Sequence, residues 1–104
     1  ALAQQPKILL LDEPTSNLDM QHQLEVLELL KKYVKKGLTV IIALHDINLA
    51  ARYASKILML KNGQVFAAGN TAIINESNIE NLFGIKVKII SDEGNLFVIP
   101  KGLK

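Results

Sequence analysis

Two short strand-length runs, the continuously apolar Ile8-Leu9-Leu10-Leu11 and Thr39-Val40-Ile41-Ile42-Ala43, rich in β-branched residues and apolar after Thr39, constrain this chain more than any other feature. Successive side chains of a strand point to opposite faces, so an unbroken run is apolar on both. Such a strand needs cover on two sides, which is the environment of a parallel sheet between helices. The stretch between the runs supplies a helix. Met20, Leu24, Leu27, Leu30 and Val34 recur at steps of three and four, Asp19 stands at an N-cap position, and Gly37 closes the segment. Strand, helix and buried strand in that order predict an α/β fold.

The pattern continues with shorter pieces. Asp46 can cap a helix through about Tyr53, with Ile47, Leu49 and Ala50 on its apolar side. Residues 56–61 and 64–68 read as strands around Asn62-Gly63, a strong two-residue hairpin signal. From about Asn70 the character changes: Ser77 is the expected cap of a helix ending at Phe83-Gly84. A hairpin of 86–91 and 95–100 follows, turning at Asp92-Glu93-Gly94. The expected division is therefore 1–69 as an α/β core and 70–104 as a small α+β appendage. Ala1 to Gln5 reads as the end of a helix stopped by Pro6, and with no initiating Met the chain looks like the later part of a longer one.

Composition narrows the classes of function. Twelve basic residues against ten acidic ones leave a net charge of +2, too balanced to require nucleic acid or an anionic membrane as partner. The absence of cysteine excludes disulfides and thiolate metal sites. No apolar run approaches the roughly 18 residues that cross a bilayer, so no direct membrane insertion is expected. Lys31, Lys32, Lys35 and Lys36 cluster where cations complement a helix C-terminus, and Met20 and Met59 are expected to fill core space.

The chemistry concentrates where the first apolar run ends in Asp12-Glu13-Pro14. Adjacent carboxylates repel, so crowding them needs a reason beyond solubility. The C-terminal edge of a parallel sheet is where α/β proteins bind ligands, and a metal ion makes the pair intelligible. One carboxylate can hold Mg²⁺ while its neighbour faces a nucleophilic water. His45, just beyond the second run, reaches the same sheet edge, where an imidazole can donate to a phosphate oxygen. The plainer alternatives are a solvated acidic loop and an exposed or structural histidine.

The stretch Leu9-Leu10-Leu11-Asp12-Glu13-Pro14-Thr15-Ser16-Asn17-Leu18-Asp19 resembles the Walker B strand and D-loop of ABC-transporter ATPases, and His45 resembles their switch histidine. The resemblance covers essentially the whole chain and implies the C-terminal part of a P-loop NTPase core. It implies that Asp12 coordinates Mg²⁺, Glu13 polarises the attacking water and His45 contacts the γ-phosphate of ATP. Asp12, Ser16 and Asp19 would lie on the nucleotide side, with Asp19 and its loop at the contact with a second ATPase subunit. Asn17 stands where Ala is commoner in the family. The phosphate-cradling loop, the Gln loop and the LSGGQ motif are not found between residues 1 and 104, so the segment alone is expected to be inactive.

The run from His45 to Ala54, then Leu60-Lys61-Asn62-Gly63-Gln64, is similar to the ATPases of iron–siderophore, haem and cobalamin importers. The ending, from Phe83 to Val87 and from Val98 to Pro100, resembles their C-terminal extension. The implied partners are a second ATPase subunit and transmembrane permease subunits, with no nucleic acid. The implied location is cytoplasmic, peripheral on the inner face of the cell membrane. Two rivals remain at this point: a nucleotide-independent interaction domain, and a soluble ABC ATPase of DNA repair or translation.

Overall fold

A computed structural model describes residues 7–104, which form two compact units, the first ending at His45 and the second running from Asp46 to Lys104. The helix expected at residues 1–5 lies outside the described residues.

The first unit is a strand–helix–strand: β1 (Ile8–Asp12), α1 (Met20–Lys35) and β2 (Thr39–Ala43). The strands pair in parallel, Ile8 against Thr39 through Asp12 against Ala43. Asp19 caps α1 as its position suggested, its carboxylate accepting the His22 amide at 2.9 Å. Leu27, 2% exposed, and Leu30, 9% exposed, are the buried residues of α1.

Two expectations need correcting here. The apolar strands are not buried on both faces: Ile8, Leu10 and Ile41 are 61%, 70% and 54% exposed. Registered pairing puts these three on one face with Asp12 and Ala43, while Leu9, Leu11, Val40 and Ile42 take the other. A two-faced strand needs two covering layers, and the unit has one described helix. The stripe of α1 is likewise narrower than its periodicity suggests. Met20, at 81% exposed, is not core filler, and Val34 is half exposed. A stripe is buried only where a second surface meets it.

The second unit closes on itself. It comprises α2 (Ile47–Tyr53), the antiparallel pair β3 (Ile57–Lys61) and β4 (Gln64–Gly69), a single 3₁₀ turn (Thr71–Ile73), α3 (Glu76–Phe83), and the antiparallel pair β5 (Ile85–Asp92) and β6 (Asn95–Leu103). Ala51, Met59, Ile74, Ile79, Val87 and Val98 form its core, with Ile79 fully buried. Asn62 and Gly63 turn β3 into β4, both at positive φ (53° and 73°), as the hairpin signal required. Ser77 does not cap α3; Asn75 does, its side chain accepting the Asn78 amide at 2.8 Å. The expected core–appendage boundary at 69/70 falls inside this unit. β3 pairs with β4 alone among the described strands, so it adds no third parallel strand to β1 and β2.

Candidate functional site

β1 and β2 run side by side in parallel, so their C-terminal ends share an edge, and both apolar runs terminate there in polar residues. The ladder continues one step past β1, where the Glu13 amide donates to the Ala43 carbonyl at 2.9 Å. Glu13 itself has φ +51°, a left-handed conformation that is uncommon for a residue with a Cβ and is concentrated at functional sites. The backbone thus leaves the strand abruptly. Asp12 keeps the strand's alternation on the uncovered face, whereas Glu13 starts the turn.

That turn brings two candidates together. His45 Nε2 lies 3.0 Å from Glu13 Oε1, with the imidazole 91% exposed and the carboxylate 28% exposed. A pair this open to water adds little to stability. Its significance is geometric: an imidazole N–H and a carboxylate oxygen meet at the sheet edge, where a water between them and a ligand could be oriented and deprotonated.

The loop that follows is held from α1. Ser16 donates its amide to the Glu13 carbonyl at 3.1 Å and Leu18 donates to Thr15 at 3.3 Å. Thr15 is 4% exposed, and its carbonyl takes a long contact, 3.4 Å, from Gln23 Nε2. Asn17, at φ +67°, makes the second left-handed turn. Asn tolerates that conformation better than most residues with a Cβ.

Ser16 is exposed at the outside of the loop, and Asp19 is committed to the start of α1. The Asp19 carboxylate also lies 2.7 Å from His22 Nδ1. The structure therefore joins Glu13 and His45 directly, and it places Asp12, Ser16 and Asp19 along the same strand end and loop. Sequence reading did not single out His22, Gln23 or the buried Thr15. The periodicity that marks α1 describes its apolar side and is silent about the residues that face the loop.

No three of the described His, Asp or Glu side chains gather as a metal site. Asp12 offers one carboxylate, which suits an ion such as Mg²⁺ that keeps waters and takes its remaining ligands from phosphates. A shallow open cleft lined by Lys56, Ile57, Gly69 and Asn70 lies at the other end of the β3–β4 hairpin and contains none of these candidates.

Comparison with known proteins places the chain in a family. No family model matches the chain. An uncharacterised ABC transporter ATP-binding protein of Methanocaldococcus jannaschii is 44% identical over 103 residues, 98% of this chain and 41% of the relative. The chain belongs to the ABC transporter ATP-binding proteins and matches their C-terminal part.

A hemin import ATP-binding protein of Rhodopseudomonas palustris is 42% identical over 98 residues, covering 92% of this chain and 37% of the relative. The ferric enterobactin transport ATP-binding protein of Escherichia coli is 43% identical over 105 residues, 97% and 39% of the two chains. Among solved structures, a metal-chelate type ABC transporter in an inward-facing conformation superposes with a TM-score of 0.78. It is 30% identical, over 90% of this chain and 40% of the other. The chain thus spans about two fifths of the length of these relatives. No described helix is long and apolar enough to cross a membrane.

Proposed function

We propose that this segment is the carboxylate-bearing part of the ATP-hydrolysing subunit of an ABC importer whose cargo is a metal chelate of the siderophore, haem or cobalamin kind. The observation that carries this reading is the 3.0 Å approach of His45 Nε2 to Glu13 Oε1 at the end of two parallel strands. The similarity to hemin and ferric enterobactin transport proteins supports the class of cargo.

In the intact subunit Glu13 accepts a proton from the attacking water at its carboxylate, and the left-handed turn aims that carboxylate away from the strand. His45 donates from Nε2, to Glu13 in the ligand-free arrangement and to a phosphate oxygen when ATP is present. Asp12, exposed beside them, would hold Mg²⁺, which when bound neutralises phosphate charge. Ser16 and Asp19 lie on the loop that faces the nucleotide and a second ATPase subunit. Residues 70–104 extend the ATPase core. Transmembrane permease subunits are the remaining partners, which puts the assembly at the cytoplasmic face of a membrane.

The test is Glu13→Gln in the intact subunit. The amide keeps the shape and cannot accept the proton, so turnover is expected to fall by about 10²–10⁴-fold with ATP binding preserved. Activity within about threefold of the parent would remove Glu13 as the base. The segment alone is expected to read as background in the same assay, because it presents carboxylates to a triphosphate without the amides and lysine of a phosphate loop.

A further inference from the structure

The β5–β6 hairpin is a two-stranded ribbon, so it has two edges along which backbone groups point outward. Which residues do so follows from the turn. Glu93 and Gly94, at φ +50° and +81°, form a two-residue loop, so Asp92 and Asn95 are the first pair to exchange both backbone bonds. The exchange recurs at every second pair, at Ile90 with Phe97 and Lys88 with Ile99. The residues between them turn their backbone groups away from the ribbon: Val87, Ile89 and Ser91 on β5, and Leu96, Val98 and Pro100 on β6.

Two of these are already engaged, which agrees with the alternation. The Asn48 carboxamide pairs with Val98 at both ends, Nδ2 donating to the carbonyl at 3.2 Å and Oδ1 accepting the amide at 2.7 Å. Glu80 Oε2 accepts the Val87 amide at 3.2 Å. Pro100, the next outward residue on β6, has no amide to offer. The β6 edge is thus blocked at two successive outward positions. On β5, nothing among the described residues takes the outward groups of Ile89 and Ser91.

We propose that this β5 edge pairs antiparallel with β5 of a second copy of the chain, about a two-fold axis at Ile90. Ile90, 37% exposed, then faces the partner's Ile90, and each Ile89 exchanges both backbone bonds with the partner's Ser91. Each Lys88 faces the partner's Asp92. Lys88, Ile90 and Asp92 share the exposed face of β5, and no described ion pair takes up either charge. The two-fold therefore forms opposite-charge pairs on both sides of Ile90, whereas a parallel approach would set Lys88 against Lys88. The fit also ends at a natural stop. One step further, Val87, whose amide Glu80 already holds, would meet the partner's Glu93 in its turn. Every group in this contact lies in the second unit and none needs nucleotide, so the proposal does not rest on the ATPase reading.

Analytical ultracentrifugation of the intact subunit without ATP or Mg²⁺ tests it. The parent should show a concentration-dependent equilibrium between monomer and dimer. Lys88→Glu alone, or Asp92→Lys alone, should raise the dissociation constant about tenfold, because each sets like charges opposite one another on both sides of the axis. Lys88→Glu with Asp92→Lys restores opposite charges and should return the parental value. Ser91→Pro should abolish the dimer while keeping the hairpin, since the Ser91 amide takes no part in the β5–β6 ladder. Hydrogen exchange supplies a second readout. The Ile89 and Ser91 amides should become protected as concentration rises, while the Val87 amide stays protected throughout. A parent that remains monomeric at its highest soluble concentration overturns the proposal. A dimer unmoved by either single charge change overturns it too, because another surface then holds the copies together. So does a double charge variant no tighter than the single ones. If Ser91→Pro fails to fold, the charge variants, both at exposed positions, still decide.

Discussion

The two units of this chain solve the problem of covering apolar surface differently. In residues 46–104, helices and hairpins surround Ile79, Val87, Val98 and Met59, and each of these is at most 5% exposed. In the unit ending at His45, α1 covers one face of the β1–β2 pair and leaves Ile8, Leu10 and Ile41 more than half open. Yet every proposed catalytic or ligand-holding residue belongs to that less covered unit. A reactive edge needs ligand on one side and supporting layers on the other, so the segment carrying it is not the segment that folds best by itself.

The contrast breaks if both units respond alike to loss of apolar side chains. Ile79→Ala removes a fully buried side chain and should destabilise the second unit by about 2–5 kcal/mol. Leu10→Ala, at a side chain already 70% exposed, should stay within about 0.5 kcal/mol in this chain. Thermal or denaturant unfolding of the two variants gives both numbers. Equal losses would mean that the uncovered face of β1–β2 is covered in solution, for instance by another copy of the chain.

Chemistry should show the opposite dependence. His45→Ala removes an imidazole that is 91% exposed, so melting should be unchanged. In the intact subunit, losing one hydrogen bond to the transition state in a water-poor site should cost roughly 3–4 kcal/mol of barrier, read as kcat. A variant that melts early while its surviving molecules hydrolyse ATP normally would make His45 a structural residue and erase the distinction between the units.

Much of this was legible because the informative residues act locally. The unbroken runs gave two parallel strands; Asp19 and Asp46 cap the helices they precede; Asn62-Gly63 turns the hairpin. The approach of Glu13 to His45 was accessible because both follow strands of the same sheet. What was not legible depends on partners distant in sequence or on layers that local pattern cannot count. The apolar runs signalled a need for two covers but not whether both would be present. Nothing around Asn48 marks it as the partner of Val98, since the pairing crosses fifty residues. The left-handed Glu13 also left no trace, because Glu carries no preference for that conformation.

The smallest expected effect concerns a helix cap, where the second unit departed from its sequence signal. Ser77 and Asn75 are both residue types that cap helices, and they stand two positions apart, so local preference does not choose between them. Tertiary contacts do. The Asn75 side chain accepts the Asn78 amide at 2.8 Å, and the Asn78 side chain reaches back 2.8 Å to the Ile73 carbonyl. Starting at Glu76 also places Ile79 in the core and lets Glu80 Oε2 accept the Val87 amide at 3.2 Å, which ties α3 to β5. Asn75→Ala should therefore cost about 1 kcal/mol, whereas Ser77→Ala, exposed inside the first turn, should be neutral or slightly stabilising because Ala is the better helix former. Chemical denaturation of both variants decides the matter. A larger loss from Ser77→Ala would start the helix later, breaking the register that buries Ile79 and weakening the claim that the second unit is the self-sufficient one.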